Sequence, residues 1–297
     1  MVTSVFLPSN FKIDAIDRFT REVVSADGTP RSLDFSFDFS RLNFIDGSGY
    51  TVLSNTLEWL LSQRVHVSIK GFDKNTQRPA ISYLDDCGFF RSYLKSALNK
   101  TASRRPTTLP CSSVQDNVAF SWIEHKLSPW LSETLSTSHA SLGSLRTCVK
   151  EVFHNISDHS TLNTGFVHVQ HYPNIRNLKI TVSDFGLGIP STIRQHFGEM
   201  DDGAAILLAS KEGVTAKSRP NNMGAGLNYL IDTIVDNRGS VLIHSLSGSL
   251  YCARGKGDLP FRKASLGRGV YPGTLIDITL DTRLFVGDEE DRMDIEW

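Results

Sequence analysis

A strand that ends in an aspartate and two glycines constrains this chain more than any other feature. The alternating apolar residues are Leu178, Ile180 and Val182, and they lead into Asp184-Phe185-Gly186-Leu187-Gly188-Ile189. A period of two predicts a half-buried strand, and glycines let a backbone turn sharply and approach a flat ring closely. The segment predicts a strand-end turn carrying one fixed carboxylate, either as a plain glycine turn or as a ligand site.

A polar pair lies on a helix predicted from about residue 144 to 159. Its apolar face consists of Leu145, Val149, Val152, Phe153 and Ile156. Glu151 and Asn155 are four residues apart, so they share another face, and Asp158 and His159 follow one turn later. An amide oxygen suits Mg²⁺, and a carboxylate can act as a general base on water or a hydroxyl. The same pair is also compatible with a merely solvated face.

A glycine-rich loop, Gly224-Ala225-Gly226-Leu227, precedes a third apolar-periodic segment. Free N–H groups at such a helix start can receive phosphate, although glycine patterns of this kind often occur by chance. Residues 191–223 before it contain a predicted helix, 202–210, and a polar stretch in which Lys217 or Arg219 either reaches a terminal phosphate or is solvated.

In this order, the three motifs resemble the ATP site of the GHKL family, across roughly residues 115–285. The resemblance implies an α/β sandwich, a mixed sheet with helices on one face. It also implies that Asp184 accepts a hydrogen bond from the adenine amine, that Thr274 lies beside it, and that residues 191–223 form a lid over ATP. The predicted nucleotide-binding set is Asn155, Asp158, His159, Asp184, Gly186, Gly188, Ile189, Lys217, Gly224, Ala225, Gly226, Leu227 and Thr274, with Asn155 also the Mg²⁺ ligand.

The family implies a role for Glu151 as well. Its ATP-splitting members and its anti-sigma serine kinases carry a glutamate at this place, which favours hydrolysis or Ser/Thr phosphorylation over histidine phosphorylation. Few residues follow Leu284, so the transducer domain of gyrase-like members is not expected in this chain.

The first third predicts strand, helix, strand and helix, which favours parallel strand pairing. Residues 38–53, DFSRLNFIDGSGYTVL, resemble the STAS domain of anti-sigma factor antagonists. In that family a Ser or Thr of the loop can be phosphorylated, which makes Ser48 the candidate here, although Gly47 replaces one usual hydroxyl residue. Alternatively, Ser48 only caps the helix that follows.

Composition argues against nucleic-acid binding, membrane binding and a disulfide-bonded or metal-binding fold. The formal net charge is −1, so no overall field favours nucleic acid or an anionic membrane. The four cysteines are far apart and include no CxxC pair, which indicates reduced thiols rather than disulfides or a metal site. No apolar run is long enough to span a membrane, and no signal peptide is recognised, so a cytoplasmic protein is expected.

The sequence thus predicts a STAS-like domain at 1–98, a linker at 99–117 and a GHKL ATP-binding domain at 118–297. The first hypothesis is a Mg²⁺-dependent ATPase that acts as a regulatory switch, with the STAS-like domain contacting a protein partner or reporting the bound state. The alternatives are a Ser/Thr kinase with Ser48 as an internal acceptor, and a non-catalytic ATP sensor. A homodimer is expected only by analogy with the family.

Overall fold

Alternating apolar residues build a three-stranded and a five-stranded sheet in this protein. The computed structural model describes residues 2–72, 78–159, 164–214, 226–255 and 260–285. The chain is of mixed α/β type. The elements of the first third are β1 (Thr3–Phe6), β2 (Asn10–Phe11), α1 (Ile16–Val23), β3 (Asp34–Asp38), β4 (Phe44–Ile45), α2 (Gly47–Ser62), β5 (His66–Lys70), α3 (Pro79–Asp86) and α4 (Phe89–Leu94). We call residues 2–98 the N-terminal unit.

The N-terminal unit is organised around a parallel sheet. Strand β3 lies between β1 and β5 and pairs with both in parallel, which confirms the predicted parallel pairing. Phe35 and Phe37 of β3 are fully buried and pack on further aromatic side chains. A separate short pairing joins β2 and β4, also in parallel.

The rest of the chain forms a second, larger layer. Its elements are β6 (Thr108–Gln115), α5 (Asp116–Trp122), α6 (Ser128–Leu135), α7 (Gly143–His159), β7 (Thr164–Tyr172), β8 (Asn177–Asp184), α8 (Gly188–Phe197), α9 (Asp202–Ala209), α10 (Gly226–Asp236), β9 (Ser240–Arg254) and β10 (Pro260–Asp281). A π-helical turn, Ile123–Leu127, joins α5 to α6. The remaining elements are short 3₁₀ turns at Ile13–Ala15, Ala140–Leu142 and Pro173–Ile175.

Two expectations are corrected here. The five-stranded sheet has the order β6-β7-β8-β10-β9, and its described pairs are antiparallel rather than mixed. Strand periodicity does not encode pairing direction, and the short connection at Pro173–Ile175 returns β8 antiparallel to β7. The predicted linker 99–117 contains β6, because its Ser- and Thr-rich sequence also supplies Leu109 and Val114, which are buried.

The two faces of the five-stranded sheet pack against different parts of the chain, because successive strand residues point to opposite sides. One face packs its apolar residues against α5, α6, α7 and α10; these sheet residues are Val167, Val169, Leu178, Ile180, Val182, Val241, Ile243, Ile276, Ile278 and Leu280. The opposite face meets the N-terminal unit, whose helix α2 crosses β7 and β8. We call these the helix face and the docking face.

Polar contacts fix the N-terminal unit on the docking face. The hydroxyl of Tyr83 donates to Gln170 Oε1 at 2.6 Å and lies 2.9 Å from His168 Nε2. Burial lowers the pKa of His168 to about 3, so the ring is neutral. A Cβ at position 47 would lie 2.9 Å from His168 Nδ1. Gly47 thus stands where the docked imidazole leaves little room for a side chain.

Candidate functional site

Asp184 is the last residue of β8 and lies on the helix face. The side chains of its neighbours Ser183 and Phe185 point to the docking face, and its partner residue on the adjacent strand β10 is Thr274. The side chain is buried, and this burial outweighs the hydrogen bond from the Thr274 backbone and raises the pKa of the carboxyl to about 8. A buried carboxyl with a raised pKa is typical of a functional site, and it is suited to receive a donor from a ligand.

Backbone packing around Asp184 requires glycine at two positions. Gly273 has φ +122°, and a Cβ there would lie 2.3 Å from the carbonyl oxygen of Asp184 and 2.7 Å from the Gly186 nitrogen. Gly188, the first residue of α8, has φ +75°, and a Cβ there would lie 2.8 Å from Ser245 Oγ. Both φ values disfavour any side chain. The two glycines let β8, β9 and β10 meet closely beside the carboxyl.

Ser245 joins β9 to this junction by hydrogen bonds. No sequence pattern predicts it as a site residue. Its hydroxyl donates to the carbonyl of Gly273 at 2.6 Å and accepts from the backbone N–H of Ile189 at 2.9 Å. It also lies 3.2 Å from Thr274 Oγ1. A lone serine in a strand gives no sequence signal, since the contact depends on the register that pairs it with Thr274.

Helix α7 lies against α10 on the helix face, and its predicted apolar face is buried at Leu145, Val149, Val152 and Phe153. Glu151 is half-buried on this helix. The backbone of α7 also carries Asn155, Asp158 and His159, but their side chains lie outside the described residues. The catalytic, Mg²⁺ and nucleotide roles of these four residues therefore stay predictions.

The start of α10 is where the sequence predicts it. The helix begins at Gly226, and Leu227 packs partly buried against the core. Lys217, Gly224 and Ala225 lie outside the described residues. Among the residues that are described, no group of three or more His, Cys, Asp or Glu side chains could hold a metal ion.

Arg262, on β10, links the end of α9 to the start of α10. Its guanidinium donates to the carbonyl of Ser210 at 2.6 Å, and to Asn228 Oδ1 and Asp232 Oδ1 at 2.9 Å each. Planar guanidinium groups suit such multiple contacts. The chain segments on either side of residues 215–225 are thus held to one strand.

Ser48 does not cap α2, because Asp46 is the N-cap and accepts from the Gly49 amide at 3.1 Å. The Ser48 hydroxyl is fully buried on the docking face and donates to Asp277 Oδ1 at 2.9 Å. The same oxygen accepts from Thr181, and Lys179 lies 3.3 Å from carboxylate oxygens of both Asp46 and Asp277. Ser48 thus lies across the sheet from α7.

Comparisons with known proteins add little to this picture. No protein-family model matches the chain, and no curated protein matches it significantly. A solved structure of the SiaB-SiaC complex from Pseudomonas aeruginosa is similar at 16% identity and a TM-score of 0.30, over 65% of this chain and 95% of that chain. The ATPase region of Saccharomyces cerevisiae topoisomerase II is similar at 11% identity and 0.28, over 50% and 40%. Because both TM-scores are below 0.5, neither likeness carries an argument.

Within the described residues, no helix combines the length and the apolar character that crossing a membrane would need.

Proposed function

We propose that residues 118–297 form an ATP-binding domain of GHKL type, and that the chain is a Mg²⁺-dependent ATPase acting as a regulatory switch. The observation that carries the proposal is Asp184, a buried carboxyl with a raised pKa beside two obligatory glycines. It faces the same side of the sheet as α7 and α10, the elements that bear the other two motifs. The placement of the three motifs on one side of the sheet, rather than overall likeness to a known structure, thus supports the proposal.

Each part of this site has a distinct role in the proposal. Asp184 accepts a hydrogen bond from the exocyclic amine of adenine, which satisfies a carboxyl that burial otherwise penalises. Thr274, its strand partner, lies beside the ring, and Gly186, Gly188 and Ile189 form the turn against which the base rests. The N–H groups of Gly226 and Leu227, at the start of α10, receive phosphate together with Gly224 and Ala225.

Glu151 is the general base, taking a proton from the attacking water at its carboxylate. Asn155 contributes one oxygen to Mg²⁺, and a bound Mg²⁺ offsets the negative charge of the phosphates. Asp158 and His159 complete this side of the site, and Lys217 contacts the terminal phosphate. The N-terminal unit, STAS-like in the proposal, reports the bound state or contacts a protein partner, in a cytoplasmic protein that forms a dimer.

The kinase alternative meets an obstacle in the position of Ser48. Its hydroxyl is buried on the docking face, whereas Glu151 lies on α7 against the helix face. The sheet therefore stands between the acceptor and the proposed base, and internal transfer requires the N-terminal unit to leave the sheet. This burial favours the ATPase switch over an internal kinase. The third alternative is a sensor that binds ATP without turnover, and the presence of Glu151 argues against it.

The test measures phosphate release and ATP binding with Mg-ATP. Glu151→Ala is expected to bind ATP as the parent does and to lose turnover, whereas the control Glu133→Ala, an exposed carboxylate on α6, keeps both. Equal turnover in Glu151→Ala and the parent would refute the general-base role. An added phosphoryl group on the intact protein, detected by mass spectrometry after the same incubation, would support the kinase instead.

A further inference from the structure

Helix α2 of the N-terminal unit contacts the two residues that flank Asp184. Asn55, which is buried, donates from Nδ2 to Ser183 Oγ at 2.7 Å and to the hydroxyl of Tyr271 at 3.2 Å. Ser183 and Tyr271 are also hydrogen-bonded to each other. One amide thus joins α2 to both strands of the β8–β10 pair at the end where the pair carries Asp184.

An aromatic contact braces the other neighbour of Asp184. The ring of Phe185 lies edge-on to that of Trp59, one turn further along α2, with centroids 5.3 Å apart. Phe185 also meets Tyr271 at 5.1 Å, and all three side chains are buried. Edge-to-face aromatic pairs of this kind are favourable beyond the area that they bury.

Asp184 lies between these two anchored residues and points to the opposite side of the sheet. Its backbone position therefore depends on contacts made by α2 through the sheet. A buried acceptor binds its donor well only when its position is fixed within a fraction of an ångström. The N-terminal unit thus contributes to the geometry of a site that it does not touch.

We propose that Asn55 and Trp59 are positioning residues for the strand end that carries Asp184, so that docking of the N-terminal unit and nucleotide binding on the other face are linked. This inference rests on the proposed function. By linkage, if docking tightens ATP binding, ATP tightens docking by the same factor. The N-terminal unit is then the element through which nucleotide state is transmitted.

The test compares two polar contacts across the same interface in the full-length protein. Asn55→Ala removes the amide at the strand end, and the control Tyr83→Phe removes a hydroxyl that contacts β7 at His168 and Gln170. We expect Asn55→Ala to weaken ATP binding by about fivefold or more, within the usual range of coupling between sites, and Tyr83→Phe to change it by less than about twofold. Equal weakening by the two variants would overturn the positioning role of Asn55, and no effect of either would overturn the link between docking and nucleotide binding.

Hydrogen exchange supplies a readout that needs no nucleotide. Asn55→Ala is expected to speed amide exchange in residues 183–190 relative to Tyr83→Phe, and Tyr271→Phe, which keeps the ring, is expected to act in the same direction. Unchanged exchange in both variants would overturn the positioning role. If the parent binds no ATP, the proposed function fails, and the exchange comparison still decides whether α2 positions this strand end.

Discussion

Replacing Asp184 by asparagine should make the protein more stable at alkaline pH. The carboxyl is buried and its pKa is raised from 3.8 to about 8, so the folded state holds a proton that the unfolded state has released. Between these two values, the free energy of unfolding of the parent falls as the pH rises. Asparagine is nearly the same size and carries no ionisable proton, so the variant escapes this loss.

The size of the effect follows from the two pKa values. Each pH unit between about 4 and about 8 costs the parent about 1.4 kcal/mol relative to the variant. Because the pKa is raised on folding, the folded state binds the proton more tightly than the unfolded state does. The stability that comes from this proton is complete below about pH 4 and is lost by about pH 8. Between about pH 5 and about pH 8 the stability gap should therefore widen by about 4 kcal/mol.

Urea unfolding of both proteins at these two pH values, without nucleotide, measures the gap directly. The exposed Asp236→Asn in α10 serves as the control for the loss of one surface charge. Other ionisable groups are shared by parent and variant, so their contributions cancel in the difference. A gap that widens by less than about 1 kcal/mol, or by as much as in Asp236→Asn, would refute the view that Asp184 is a buried carboxyl that costs stability.

Three further changes probe the docking face and the strand junction. Ser48→Asp adds a carboxylate beside buried Asp277 and should lower the free energy of unfolding by about 3 to 5 kcal/mol. The control Ser62→Asp, at the exposed end of α2, should lower it by no more than about 1 kcal/mol, and similar urea midpoints of the two variants would contradict a closed interface. Gly273→Ala, which meets the Asp184 carbonyl, should cost about 2 kcal/mol or more, and an unchanged Tm would show that the turn has room. Ser245→Ala should cost about 1 to 3 kcal/mol and weaken ATP binding in titration calorimetry, while unaltered affinity would separate this hydroxyl from the site.

Helices and strands were predicted correctly where an apolar periodicity extends over many residues. Helix α7, strand β8 and the start of α10 lie where the patterns predict them, because one apolar face must be buried in each. The linker interpretation was wrong at β6, since an edge strand with two buried apolar residues, Leu109 and Val114, resembles a polar connection. The mixed sheet that the resemblance implied was wrong as well, because the described strands of the large sheet all pair antiparallel.

The contacts around the site could not be predicted, because they join residues that are distant in the chain. Asn55 and Ser183 are 128 residues apart, and Ser48 and Asp277 are 229 apart. Each pair depends on how the N-terminal unit sits on the sheet, and no single-residue pattern encodes that. Asp184 was identifiable only because its glycines follow at fixed spacing, whereas Ser245 has no such signature.

The most direct test of the proposed ATP site is the preference between ATP and inosine triphosphate, in which an oxygen replaces the exocyclic amine. In titration calorimetry with Mg²⁺ at about pH 9, above the pKa of about 8, the Asp184 carboxyl is ionised and can only accept hydrogen bonds. The parent should then bind ATP at least about tenfold more tightly, because inosine triphosphate leaves this carboxylate without its donor. Asp184→Asn, whose amide can donate as well as accept, should reduce that preference to less than about threefold. Equal affinity of the parent for the two nucleotides, or binding of neither, would contradict the adenine role of Asp184.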